Sequence, residues 1–270
     1  MSIGDVALND GRLIPQLGLG VSRISAQQVV PTVSSALEIG YRHIDTAPSY
    51  GDERGVGRAI RESGIARDEV FITTKLGNDR HGDARAALEE SLERLGLEYV
   101  DLYLIHWPVP RVNKSVLAWH ALEQAQADGL VRSIGVSNFT ARYLDQILEQ
   151  SSVSPAVNQI ECHPSLQQRG IESANAERGI VTVAYSPLGL GIDLRDETVA
   201  AIAERLGKTP AQVVLRWHLQ AGRVVIPKAV SPSHIAENFA LADFDLRAEE
   251  IAAIDDLEAG NRLGWDPEYV

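Results

Sequence analysis

The chain has 270 residues, 44% of them hydrophobic and 23% charged, with a formal net charge of −12 and one cysteine, Cys162. That apolar fraction excludes wholesale disorder, and the length holds one large domain or two small ones with a substantial core. An excess of 37 acids over 25 bases speaks against nucleic acid and membrane surfaces as partners, and a lone cysteine forms no internal disulfide. The first residues lack the basic flank and apolar run of a secretory signal, so a cytoplasmic protein is expected. Only four lysines occur, Lys75, Lys114, Lys208 and Lys228.

Taken in chain order, the sequence opens with a hairpin, Val6-Ala7-Leu8 and Leu13-Ile14 around the tight-turn signal Asn9-Asp10-Gly11. Strand signals and helical periodicity then alternate. Leu17–Gly20 precedes a helix over Ala26–Ile39, Arg42–Asp45 one over Arg54–Glu62, and Val70–Lys75 one over Ala84–Arg94. Val100–His106 leads to Val116–Ala127, Val131–Ser137 to Ala141–Glu149, and Ala156–Ile160 to Ile171–Arg178. Ile180–Tyr185 is followed by two helices, Glu197–Leu206 and Pro210–Gln220, the second opened by Thr209-Pro210 as N-cap and first helical position. Val224–Ile226 is the last strand, followed by Pro232–Ala240 and a closing helix near Ala248–Leu257. Eight strand–helix units with no break in composition predict a single α/β domain over 1–270, a (β/α)8 TIM barrel with an N-terminal hairpin and an extra C-terminal helix and tail. A doubly wound sheet fits less well, because neither Gly18-Leu19-Gly20 nor Gly55-Val56-Gly57 extends to the G-x-G-x-x-G fingerprint.

In such a barrel the site lies at the C-terminal strand ends. There the sequence places Asp45, Lys75, His106, Ser137 and Asn138, Gln159, Tyr185 and Lys228. Taken singly, Asp45, Ser137 or Asn138 could cap a helix and His106 could be a satisfied core residue. Lys75 closes an apolar run and needs a carboxylate if buried, for which Asp45 is the natural partner. Tyr50 follows on the loop above. A phenol beside an ammonium group is an acid–base pair, the cation favouring phenolate, and His106 could join in holding an oxygen that gains charge. The group that attacks the carbonyl carbon is missing from this set.

These residues sit in a series of motifs. They are Gly40-Tyr41-Arg42-His43-Ile44-Asp45-Thr46-Ala47 with Tyr50, Ile72-Thr73-Thr74-Lys75-Leu76, and Asp101-Leu102-Tyr103-Leu104-Ile105-His106-Trp107-Pro108. Ile134-Gly135-Val136-Ser137-Asn138-Phe139, Asn158-Gln159-Ile160-Glu161, Ala184-Tyr185-Ser186-Pro187-Leu188-Gly189 and Ile226-Pro227-Lys228 complete the series. In these the chain resembles the aldo-keto reductases over nearly its whole length, nearest to the bacterial 2,5-diketo-D-gluconate reductase-like members. The resemblance implies a tetrad in which Tyr50 gives the proton, Lys75 lowers its pKa, Asp45 anchors Lys75 and His106 orients the carbonyl. It implies hydride from NADPH, with the carboxamide on Ser137, Asn138 and Gln159 and the ring stacked on Tyr185. Ser186, Leu188 and Gly189 would meet the pyrophosphate; Ile226, Lys228, Val230 and His234 would meet the adenosine end, and Glu237 and Asn238 the adenine.

Two departures bear on specificity. Ala229 and His234 stand where the family commonly has serine and arginine against the 2′-phosphate, so Lys228 is expected to favour NADPH while NADH is tolerated. Ser22 and Gly77 stand where relatives often carry large aromatic side chains, leaving Trp107, Leu188 and the tail to line the substrate pocket. Trp265 either folds over the pocket mouth or packs on the barrel rim. The expected activity is reduction of aldehydes, ketones and dicarbonyls by a monomer that needs no metal. Two other readings are an NADPH-binding regulatory subunit and a lyase using Lys75 as a Schiff-base nucleophile. Cys162 and His163 beside Glu161 are not expected to bind metal, since neighbours on an extended segment face opposite ways.

Overall fold

A computed structural model describes residues 3–270. The chain opens with an antiparallel hairpin of β1 (Asp5–Ala7) and β2 (Leu13–Pro15), turned at Gly11. Eight parallel strands follow: β3 (Leu19–Gly20), β4 (His43–Asp45), β5 (Phe71–Leu76), β6 (Val100–Ile105), β7 (Val131–Ser137), β8 (Val157–Glu161), β9 (Val181–Tyr185) and β10 (Val224–Val225), paired in sequence order. Residues 16–20 return to the last strand and close the ring. Gly18 N donates to Val225 O at 2.8 Å, Val225 N to Gln16 O at 2.9 Å, and Gly20 N to Pro227 O at 3.1 Å. This seam is carried by few ladder bonds, so the expected first and last strands are each shorter than their apolar runs.

The helices wrap the outside: α1 (Ala26–Ile39), α2 (Glu53–Glu62), α3 (Ala84–Leu95), α4 (Ser115–Ala127), α5 (Ala141–Leu148), α6 (Arg169–Glu177), α7 (Glu197–Leu206), α8 (Pro210–Gln220), α9 (Pro232–Phe239) and α10 (Ala248–Asp255). Their sequence signals act locally as expected. The Asp52 side chain caps α2 by accepting from Gly55 N at 2.8 Å, and Thr209 with Gln212 forms a capping box at α8. Helix α6 starts two residues before the expected Ile171, because Gln168 takes a left-handed turn (φ +51°) directly ahead of it. Helices α2 and α3 meet at Gly57, where any Cβ would collide with the Leu95 carbonyl.

Alternation along the strands decides what faces inward. Leu102 and Leu104 of β6, Val157, Val183, Val224 and Ile226 form the barrel interior with Leu8 and Ile14 of the hairpin, which plugs the N-terminal end. Tyr103 and Ile105, one residue out of phase, join the larger core between barrel and helices. Continued by steps of two, the inward positions run from this apolar floor to Lys75, His106, Gln159, Tyr185 and Lys228. The same register that fills the barrel therefore delivers the polar residues to one end of it.

Candidate active site

Lys75 is wholly buried, with its Nζ 2.5 Å from Asp45 Oδ1 and 3.1 Å from Thr46 O. Burial alone would lower the lysine pKa, but the Asp45 charge overcomes it and holds Lys75 above its ordinary value. A lysine kept charged and enclosed in this way is a poor Schiff-base nucleophile, which disfavours the lyase reading. The other Asp45 oxygen accepts from Gln159 Nε2 at 2.8 Å. Gln159 O in turn accepts from Ser137 Oγ at 2.9 Å and Asn138 N at 2.8 Å, while Asn138 Oδ1 accepts from Tyr185 Oη at 2.9 Å. Asn138 adopts φ +64° and donates its Nδ2 to His106 O at 3.0 Å and Ser137 Oγ at 3.0 Å. One hydrogen-bonded chain thus links β4, β5, β7, β8 and β9 at their C-terminal ends.

Tyr50 stands over this network from the single turn Pro48–Tyr50, its ring 4.9 Å from Lys75 Nζ and 5.9 Å from the His106 ring. Lys75 does act to lower the Tyr50 pKa, as expected, but the net direction is the opposite. Burial is the larger influence and raises the Tyr50 pKa; Lys75 opposes it, so the phenol stays protonated above its ordinary value. His106 is pushed down to about 3 by burial and by the Lys75 charge, which leaves a neutral imidazole at working pH. The cluster offers a neutral phenol, a neutral imidazole and one fixed cation.

These groups open into a cavity of about 630 Å³. Of the residues singled out in the sequence, Asp45, Tyr50, His106, Ser137, Asn138, Gln159, Tyr185, Ser186, Leu188, Ile226, Lys228, Ser22, Trp107 and Trp265 line it. Gly77, Gly189, Val230, His234, Glu237 and Asn238 do not, nor does Lys75, which is buried beneath Tyr50 and Asp45. A Cβ at Gly77 would meet Asp79 and Arg80. His234 is an exposed first-turn residue of α9, Asn238 is buried, and Glu237 accepts from Thr209 Oγ1 at 2.7 Å. They sit beyond the cavity because α9 begins after the chain has left it. Trp265 meets both expectations in part: it lines the cavity with its ring 6.0 Å from Trp107, yet remains 69% exposed at the rim.

The structure adds residues that sequence reasoning passes over, among them Arg23, Leu190, Gly191 and Leu194. Arg23 occupies a left-handed turn (φ +60°) just after β3, and neither it nor Lys228 has an ion-pair partner among the described residues. A basic residue directly after Ser22 at a strand end was the available signal. Two uncompensated cations on a polar-floored cavity suit an elongated anionic ligand such as a dinucleotide, and Gln159 Oε1 is left as an acceptor for an amide.

The sequence matches the Aldo/keto reductase family over residues 14–259. The chain belongs to that family. As an aldo-keto reductase it is an oxidoreductase that acts on carbonyl groups. It is 48% identical over 266 residues to methylglyoxal reductase DkgA of Escherichia coli (strain K12), covering 97% of this chain and 96% of that protein. An aldo-keto reductase of Mycolicibacterium smegmatis is 50% identical over 264 residues, with the same coverage of 97% and 96%. Among solved structures, a Gox0644 mutant in complex with NADPH superposes with a TM-score of 0.96 at 41% identity, covering 100% of this chain and 99% of the other. A Bombyx mori aldo-keto reductase in complex with NADP gives 0.94 at 37% identity, covering 100% and 97%.

Proposed function

We propose that this aldo-keto reductase reduces small aldehydes, ketones and dicarbonyls, methylglyoxal among them, with NADPH as hydride source. The observation that carries the reading is the Tyr50–Lys75–Asp45 cluster with neutral His106 at the floor of a cavity rimmed by Arg23 and Lys228. The methylglyoxal reductases among its relatives and the NADPH-bound neighbour support the choice of substrate and cofactor.

When bound, the nicotinamide supplies a hydride to the carbonyl carbon. Ser137, Asn138 and Gln159 would hold its carboxamide, Tyr185 its ring face, Ser186 and Leu188 its diphosphate side, and Lys228 with Arg23 its phosphate charge. His106 donates a hydrogen bond to the substrate oxygen and fixes the carbonyl. Tyr50 transfers its phenolic proton to that oxygen as negative charge develops, so that carbon gains hydride, oxygen gains a proton, and an alcohol leaves. Lys75, held by Asp45, stabilises the phenolate that remains. Trp107 and Trp265 flank the substrate side, which the small Ser22 leaves wide.

The decisive measurement follows NADPH absorbance with methylglyoxal for the wild type and Tyr50→Phe. Loss of the proton donor should lower kcat by about 10²–10⁴-fold with NADPH binding retained. Equal rates would remove Tyr50 from the mechanism, and binding without turnover in the wild type would favour the regulatory-subunit reading. The same assay with NADH tests cofactor choice: a preference for NADPH that Lys228→Ala abolishes is expected, with measurable NADH activity in the wild type. We take the acting form to be a monomeric, single-domain, cytoplasmic enzyme; no helix among the described residues is long and apolar enough to cross a membrane.

A further inference from the structure

A second buried ionic cluster lies beside the cavity and takes no part in the proton transfer. His163, two residues beyond Glu161 at the end of β8, is wholly buried. Its Nε2 is 3.1 Å from Glu161 Oε1, and its Nδ1 is 2.8 Å from Asp193 Oδ2. Each carboxylate serves a different wall. Asp193 lies in the segment that contributes Leu190, Gly191 and Leu194 to the cavity. Glu161 accepts from the tail, Leu263 N on Oε1 at 2.7 Å and Gly264 N on Oε2 at 2.8 Å, immediately before Trp265. Gly189 (φ +55°) lets the segment fold back this closely, since a Cβ there would collide with Asp193 Oδ2.

We propose that His163 is a positioning residue for the cavity, tying the 189–195 segment and the C-terminal tail to the end of β8 so that both walls are preformed for cofactor and substrate. The inference rests on the reading of the cavity given above. Neither wall is held in the sheet, and the ionic cluster joins the 189–195 segment to the strand end on which the tail is hydrogen-bonded. With Nε2 on Glu161 and Nδ1 beside Asp193 and Ser165, His163 is not available to a metal.

The electrostatics agree. Burial would lower the His163 pKa, but hydrogen bonds and charges from Asp193 and Glu161 overcome it and raise it to about 9. The other groups facing it are Ser165 Oγ, 3.2 Å from Nδ1, and His218 of α8, which burial keeps neutral. Tyr185 of β9 is raised by burial and Glu161, and Arg262 of the tail bonds Gln168 Oε1 at 2.9 Å. The imidazolium flanked by the two carboxylates therefore prevails below about pH 9 and is lost as pH rises through that value.

The test is His163→Gln, read by NADPH fluorescence titration and by kcat and KM for methylglyoxal. Both the NADPH Kd and the methylglyoxal KM should rise roughly tenfold while kcat stays within about twofold, because the Tyr50 cluster is untouched. NADPH affinity of the wild type should weaken as pH rises through about 9, and that of the variant should not. Unchanged Kd and KM in a folded variant, a loss confined to kcat, or the same alkaline weakening in both proteins would overturn the proposal. If His163→Gln does not fold, Asp193→Asn, which alters only the segment side, carries the test: a raised NADPH Kd is expected, and an unchanged one overturns it. A wild type that neither binds NADPH nor reduces methylglyoxal would bring down the cavity reading and this inference together. Activity in the wild type matched by the variant removes this inference alone.

Discussion

At the residue scale, Lys75 and Asp45 show how chemistry and stability share one contact. Both side chains are essentially without solvent exposure, so removing one partner leaves the other charged and uncompensated. Asp45→Asn should cost about 3–5 kcal/mol of stability by urea unfolding, and the same variant should lower kcat because Lys75 is no longer fixed beneath Tyr50. An Asp45→Asn protein that melts and turns over like the wild type would show the pair to be incidental. Tyr50 is the instructive miss. The sequence predicts the cation but not the enclosure, and the enclosure sets the direction of the phenol's pKa. Arg23 is the opposite case: its type and position are visible, but its place on the cavity depends on a left-handed turn at the arginine itself, a conformation its residue type does not announce.

At the element scale, the period-two register made most of the site legible. Steps of two along β5, β6, β8 and β9 lead from apolar floor to polar rim, so a reader of the sequence finds Lys75, His106, Gln159 and Tyr185 without coordinates. What alternation cannot give is the path of segments outside the sheet. Gly77 sits directly after a strand yet is not among the residues lining the cavity, and Glu237 and Asn238 belong to a helix that starts past the rim. The place of Trp265 escapes alternation for the same reason, since it depends on the Glu161 bonds to Leu263 and Gly264. Helix contacts are equally silent in the sequence. Gly57→Ala would press a methyl group into the Leu95 carbonyl where α2 meets α3. It should destabilise the protein by about 1–3 kcal/mol in thermal or urea unfolding, with kcat unaffected at temperatures where it stays folded. A neutral result would mean that the two helices slide apart at little cost.

At the scale of the whole molecule, buried histidines set opposing pH limits. His43 is lowered to about 4 and His106 to about 3, chiefly by burial, and His218 is lowered well below its ordinary value. Their stabilising effect is complete above about pH 6.5 and is lost as pH falls toward the folded values. His163, raised to about 9, acts in reverse: its contribution is complete below about 6.5 and lost as pH rises through 9. Unfolding free energy measured against pH should therefore peak near neutrality, and His163→Gln should flatten the alkaline limb only. An unchanged alkaline limb would mean that His163 is not charged in the folded protein. The hydrogen-bonded chain from Lys75 through Asp45, Gln159 and Asn138 to Tyr185 has a last consequence, for evolution under mutation. Active sites are commonly places where proteins become sturdier by losing function. Here each link satisfies a buried neighbour, so a lineage drifting one substitution at a time under selection for sturdiness alone would be held at these residues. The Lys75–Asp45 pair and the residues proposed to hold the cofactor would persist through long periods of disuse, whereas Tyr50 and the His106 ring, outside that chain, would not be so protected.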